Sequence, residues 1–280
     1  MKYLELNIII PENTAEGSEI LAALLSESGY NGFLETEKGL KAYIEEDKYD
    51  NRPEKTVNLI DRNIFGDIEV NHSILEGKNW NDAWEKNFKP VIIEDFVYIR
   101  APFHDKNDSI RHEVIIQPRM AFGTGHHETT FLMLKAMRKT DFSGKKVLDA
   151  GCGTGILSLL SEKMGANSIT AIDTDDDSYI NTIDNAGLNG SERIIPIKGN
   201  IRSLDENETY DIILANITKN VLLEEMKNYS GRLNNNGILL ISGFYEEDLE
   251  EIRNEAKKHK LDFVSCKSLH NWMAAEFIGK

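Results

Sequence analysis

Cysteine is nearly absent: Cys152 and Cys266 are the only two in 280 residues. Two thiols so far apart make no disulfide framework and no CxxC metal knuckle, and they fit a reducing, cytoplasmic compartment. Long apolar runs are missing too. None approaches the ~20 residues that a membrane span needs. The opening MKYLELNIII carries one lysine and then alternates, without the charged, apolar and small-residue regions of a signal peptide. Basic charge is short, with 32 Lys and Arg against 47 Asp and Glu and a net charge of −15. A nucleic-acid binder presents a basic face to phosphates, so no direct nucleic-acid binding is expected. An acidic chain attracts basic partners and speeds their arrival at low salt. Plain solubility explains the same charge. No internal repeat or low-complexity tract occurs.

What is present reads as a globular protein, 40% hydrophobic and 28% charged, with length enough for two domains. Residues 1–75 form a first, α+β pattern. YLELNIII alternates like a strand. Ile20, Leu21, Leu24 and Leu25 recur at helical spacing within 16–28, and Gly29 stands where that helix stops. GFLET and LKAYIE follow as strands about a Lys38-Gly39 turn. A helix starts at Pro53 and runs to Ile60, and IEVNHSIL closes as a strand. The order β-α-β-β-α-β is that of a ferredoxin-like unit. Residues 76–90, EGKNWNDAWEKNFKP, read as a linker helix. Its Trp80, Trp84 and Phe88 recur every four residues, as a stripe packed on a neighbour does more often than a ligand site.

Residues 91–280 form a second domain. VIIEDFVYIRAP and RHEVIIQP read as a strand pair, and FLMLKAMRK as a helix. From Lys145 onward, KVLDA, SITAID, IIPIKG, DIILAN and GILLISG are strands separated by helical runs. That alternation predicts a doubly wound α/β sheet.

Within it, VLDAGCGTGILSLL runs from an apolar strand through a glycine-rich turn into an apolar helix. Gly151, Gly153 and Gly155 let backbone approach a ligand that a Cβ would block, and the helix start offers free N–H groups. The dinucleotide fingerprint would need glycine where Ile156 stands, and a Gly-Lys-Ser/Thr phosphate loop is missing. Hydride transfer and ATP hydrolysis are therefore not the first readings. An acid ending the next strand can accept from both hydroxyls of a ribose, and Asp173 is so placed. The TDDD run beginning at Thr174 fails as a calcium loop, because Ser178 and Asp184 replace the required Gly and Glu. DIILAN ends on Asn216, at the mouth where doubly wound sheets bind ligands, and its carbonyl can accept from an amine. A turn-forming Asn is the alternative.

One further stretch, MAFGTGHHETT (120–130), precedes the glycine turn. Gly123 and Gly125 give it the freedom to close over a ligand, and Thr129 or Thr130 can hydrogen-bond one. A metal site at His126-His127-Glu128 is disfavoured, because adjacent residues point in different directions.

This set resembles a class I S-adenosylmethionine (SAM)-dependent methyltransferase. MAFGTGHHETT, with NDAWEKNFKP before it and LANI after it, resembles the PrmA family, methyltransferases of large-subunit ribosomal protein L-eleven. The resemblance covers nearly the whole chain. It implies a Rossmann-like methyltransferase domain over 91–280, preceded by a ferredoxin-like substrate-recognition domain. It implies S-adenosyl-L-methionine as cofactor, and lysine and N-terminal amines of that ribosomal protein as acceptors. Carried over, Thr130 contacts the cofactor, Phe122 lies against its methionine moiety, and Gly151, Gly153, Gly155, Asp173 and Asn216 complete the site, with Asn216 also orienting the amine. His127 is the only weak candidate for a general base. Gln117, Arg119, His126 and Glu128 stand where Asp, Gly, Thr and Pro are frequent, so no role is assigned to His126 or Glu128. A monomer is expected. Two rivals stay open: a nucleic-acid N-methyltransferase, which usually has Pro-Pro and an aromatic where Ile217-Thr218-Lys219 stand, and a non-catalytic SAM-binding module.

Overall fold

The computed structural model describes residues 3–10, 21, 22, 25, 29, 30, 32–36, 39–45, 49, 68–75, 89–117 and 123–280. The chain divides into two compact units, Met1–Lys86 and Asn87–Lys280.

In the first unit, β1 (Tyr3–Ile9), β2 (Gly32–Thr36), β3 (Gly39–Glu45) and β4 (Glu69–Leu75) form one sheet in the order β2-β3-β1-β4. Every pairing is antiparallel. The period-2 alternation puts Leu4, Leu6 and Ile8 on one buried face with Leu40, Ala42 and Ile44, where helical Leu21 and Leu25 join them. On the other face Lys41 and Tyr43 both donate to the Glu5 carboxylate. The rest of the helix expected over 16–28, the helix from Pro53 to Ile60, and the linker stripe of Trp80, Trp84 and Phe88 lie outside the described residues.

The second unit begins with β5 (Val91–Ile93), β6 (Val97–Arg100) and β7 (His112–Ile115). The expected strand pair is therefore three strands. VIIEDFVYIR folds back at Glu94, which takes φ 50°, so that β5 and β6 pair antiparallel while β6 and β7 run parallel.

The remaining elements are α1 (Glu128–Met137), β8 (Lys146–Ala150), α2 (Ile156–Lys163), β9 (Ser168–Asp173), α3 (Asp176–Leu188), β10 (Ile194–Lys198), β11 (Tyr210–Asn216), α4 (Lys219–Arg232), β12 (Leu233–Tyr245), α5 (Leu249–Lys258), β13 (Leu261–Leu269) and β14 (Trp272–Gly279). They build one seven-stranded sheet, β10-β9-β8-β11-β12-β14-β13. The first five strands are parallel; β14 alone is reversed, pairing antiparallel with both β12 and β13. From β8 the chain winds outward through β9 and β10, then returns to lay β11 on the other side of β8. That reversal is the switch point at which doubly wound sheets open a crevice.

Near-continuous apolar strands mark a sheet buried on both faces. Val147, Ile212, Leu214 and Leu240 pack towards α1, α2 and the small sheet. Their neighbours Leu148, Ile213, Ala215, Leu239 and Ile241 pack towards α4 and α5. Helix α3 departs from this pattern. It buries Asn181, Thr182 and Asn185 and exposes Ile180, Ile183 and Leu188, because its inward face is used for hydrogen bonds. The β13–β14 hairpin was not among the expected strands. Its turn is His270-Asn271, with φ 48° and 69°. Two positive φ values suit a tight hairpin, but the usual Asn-Gly signal is missing. No helix among the described residues is long and apolar enough to cross a membrane.

Candidate active site

The carboxyl ends of β8, β9, β10 and β11 open into a cavity of about 630 Å³. Its floor is the turn after β8. Gly151 takes φ 73°, and a Cβ there would lie 2.3 Å from Cγ2 of Ile217, so only glycine fits between the two strand ends. Gly155 caps α2 in the left-handed region, with no side chain to offer. Cys152, inside the turn, is buried with its thiol 3.3 Å from the Thr182 hydroxyl, and burial pushes its pKa up. It is a packing residue rather than a nucleophile.

Two carboxylates flank the turn. Asp149, one residue before the end of β8, accepts from the Ser158 N–H at 3.0 Å and the Ser158 hydroxyl at 2.7 Å. It thereby caps α2 from below. Burial pushes its pKa up to about 6. Asp173 ends β9 and lines the cavity. It accepts from the N–H of Gly153 at 2.9 Å and of Asp175 at 3.0 Å, which fixes the carboxylate in place. A carboxylate has about four lone-pair sites, so it keeps capacity for ligand hydroxyls.

Asn216 ends β11 beside Gly151 and is 8% exposed. Its Nδ2 donates to the Thr130 hydroxyl at 3.2 Å, and Thr130 is fully buried in the first turn of α1. Its Oδ1 is buried and has no partner among the described residues. An unpartnered buried acceptor costs about 1–3 kcal/mol, which a ligand donor offsets.

The stretch around MAFGTGHHETT is tied to the floor at both described ends. The Thr154 hydroxyl donates to the Gly123 carbonyl at 2.6 Å. Asn185 of α3 donates to the Thr154 carbonyl at 2.9 Å and accepts from the Gln117 N–H at 2.7 Å. Asn189 grips both backbone groups of Ile115 in the same way, accepting from its N–H at 2.9 Å and donating to its carbonyl at 2.5 Å. Phe122 lies outside the described residues.

At the cavity mouth, His127 caps α1 and meets Trp272 edge-on, with ring centroids 5.1 Å apart; Tyr245 lies against the other side of Trp272 at 4.1 Å. Glu128 pairs with His270 of the hairpin turn at 3.1 Å; its own backbone N–H first, and then His270, hold its carboxyl below the ordinary range. At the far end, Arg202 bridges Glu224 and the largely buried Glu225, each at 3.0 Å.

The expected residues Gly151, Gly153, Asp173 and Asn216 thus line one cavity, and Thr130 lies directly behind Asn216. Gly155 supports the floor from the helix start. Sequence reasoning missed Trp272, which lies beyond the unexpected hairpin turn. It also missed Asn200, which lines the cavity after β10. The rule that singled out Asn216, a carboxamide at the carboxyl end of a parallel strand, would have found Asn200.

A doubly wound sheet with a GxGxG floor, an acid ending the second strand of the winding and a carboxamide at the switch point is the arrangement of a class I SAM-dependent methyltransferase. Over residues 9–279 the sequence matches the family described as Ribosomal protein L11 methyltransferase (PrmA), and the chain belongs to that family. It is 39% identical over 281 residues to a ribosomal protein L11 methyltransferase of Bacteroides fragilis, covering 99% of this chain and 100% of that one. Against one from Porphyromonas gingivalis the identity is 42% over 297 residues, covering 99% and 98%. Among solved structures, the ribosomal protein L11 methylase from Lactobacillus delbrueckii subsp. bulgaricus is similar with a TM-score of 0.64 at 25% identity, over 69% of this chain and 100% of that one.

Proposed function

We propose that this chain transfers methyl groups from S-adenosyl-L-methionine to lysine and N-terminal amines of ribosomal protein L11. The observation that carries the reading is the Asn216 carboxamide. One end is fixed on Thr130, and the other presents a buried, unpartnered oxygen. Such an oxygen suits an amine donor, from the cofactor or from the acceptor. The cofactor fits the rest of the site. The Gly151 turn leaves room only where no Cβ stands, and the fixed Asp173 carboxylate can accept from ribose hydroxyls. When bound, the cofactor supplies an electrophilic sulfonium methyl. Gly151, Gly153 and Gly155 would cradle it, and Thr130 would support that contact by holding Asn216. Phe122 is the aromatic expected against the methionine moiety. Asn216 aligns the acceptor amine, and alignment is the protein's main contribution to an in-line displacement.

Residues 1–75 serve as a ferredoxin-like reader of the ribosomal protein, 76–90 as a linker helix, and 91–280 as the methyltransferase domain. The all-antiparallel order β2-β3-β1-β4 supports the ferredoxin-like reading of the first unit. The net charge of −15 suits a basic ribosomal substrate and disfavours direct nucleic-acid binding. We expect a cytoplasmic monomer. The test is methyl transfer from radiolabelled SAM to total ribosomal protein from cells lacking this gene. A single labelled band at L11 is the expected result. Label on RNA, or none despite cofactor binding, overturns the reading.

A further inference from the structure

Amine methylation leaves one task without a residue. A lysine amine of pKa ~10.4 is protonated near neutral pH and must lose a proton before it can attack. Asn216 orients but cannot take that proton.

We propose that Thr129 and His127 form the proton exit from the acceptor amine, a proposal that rests on the function above. Both line the cavity, beside Thr130 and Asn216. Thr129 is 1% exposed. Its backbone N–H donates to Nδ1 of His127 at 3.3 Å, and its hydroxyl lies 2.9 Å from the same nitrogen. A ring nitrogen that accepts a backbone N–H carries no hydrogen, so the neutral imidazole holds its proton on Nε2. The Thr129 hydroxyl must then donate into Nδ1, which leaves its oxygen lone pairs to accept from a group in the cavity.

This fixes the direction of transfer. The ammonium gives one proton to Thr129 Oγ1 as Thr129 passes its own to His127 Nδ1. The acceptor becomes a neutral amine with a free lone pair, the imidazole becomes imidazolium, and Thr129 ends unchanged. Half-buried His127 then sheds its Nε2 proton to water, and proton exchange with water moves the Nδ1 proton back to Nε2 and resets the relay. Trp272, edge-on at 5.1 Å, holds the ring in orientation. Among the described residues, the titratable neighbours include His126 and Glu128 on either side in the chain and His270, which holds Glu128 at 3.1 Å.

This geometry can be tested without turnover. In ligand-free protein labelled with ¹⁵N-histidine, His127 should show the Nε2–H tautomer, and Thr129→Val should shift its Nδ1 resonance. An Nδ1–H tautomer in the wild type overturns the proposal. In turnover, Thr129→Val should lower kcat at neutral pH by about 100-fold, the low end of general-base effects, with SAM affinity kept within about twofold. The deficit should shrink as pH rises towards ~10, where the acceptor deprotonates unaided. Thr129→Ser should restore most of the rate. His127→Asn keeps a good helix cap and should show the same pH-dependent deficit. A deficit independent of pH, or one that follows lost cofactor binding, means a structural role and overturns the relay alone. A wild type that labels no ribosomal-protein amine overturns function and relay together.

Discussion

Asp149 and Asp173 stand near the carboxyl ends of neighbouring parallel strands and flank one glycine turn, yet they do opposite work. Asp149 is 1% exposed and spends its Oδ2 on both donors of Ser158. It holds the start of α2 in place and does not itself line the cavity. Asp173 is gripped by two backbone N–H groups and faces the cavity. One carboxylate is a foundation and the other a contact surface. A motif read as letters gives both the same weight; burial separates them.

The widest break in this comparison removes the turn between the two acids. Gly151→Val forces a branched side chain to a φ of 73° and against Ile217. Strain of about 1–3 kcal/mol should lower the urea midpoint, and cofactor affinity should fall more than about 100-fold. Unchanged stability and affinity would dissolve the claim that only glycine fits. Asp173→Ala comes next. Charged hydrogen bonds are worth about 1.5–3 kcal/mol, so calorimetry should find SAM binding weakened by about 10–100-fold. Loss of the bonds from Gly153 and Asp175 should also lower its melting temperature, by a few degrees, on the order of one hydrogen bond's worth.

Asp149→Asn should invert that pattern, sparing cofactor affinity and changing how stability follows pH. The folded carboxyl titrates near 6 against an ordinary 3.8, because burial disfavours the anion. Its contribution to stability is fully present below about pH 4 and is lost as pH rises through 6. Wild-type stability relative to the variant should therefore fall between pH 4 and 6, by an amount on the order of 2–3 kcal/mol. Parallel curves for the two proteins would show that Asp149 is not the group responsible. The smallest effect belongs to Ser158→Ala, about 1 kcal/mol for one hydroxyl bond, with cofactor affinity unchanged.

Much of the parallel half of the sheet was legible because its strands are continuous apolar runs closed by glycine or an acid. KVLDA and SITAID are β8 and β9 residue for residue, and DIILAN is β11 without its first residue, Tyr210. The glycine floor, Asp173 and Asn216 were legible for the same reason: local spacing places them. The antiparallel end was not. β13 is exposed over most of its length, and its turn uses His270-Asn271 without glycine, so neither alternation nor turn chemistry announces it. Trp272 was lost with it. The polar inner face of α3 was also illegible. Asn185 and Asn189 bond to Gln117 and Ile115, some 70 positions back in the chain, and only the folded path brings these together.

The sheet order β12-β14-β13 has a consequence in time. A ribosome releases β13 before β14, but β14 is the strand that joins β13 to the rest of the sheet. For the interval in which β14 is made, about a second at ~5–20 residues per second, β13 has no partner strand in the sheet. The edge of β12 is uncovered over the same interval. Trp272 begins β14, so the mouth of the cavity is among the last walls to be raised, well after the glycine floor has been synthesised. The glycine floor of the cavity is thus in the chain before the wall that carries Trp272.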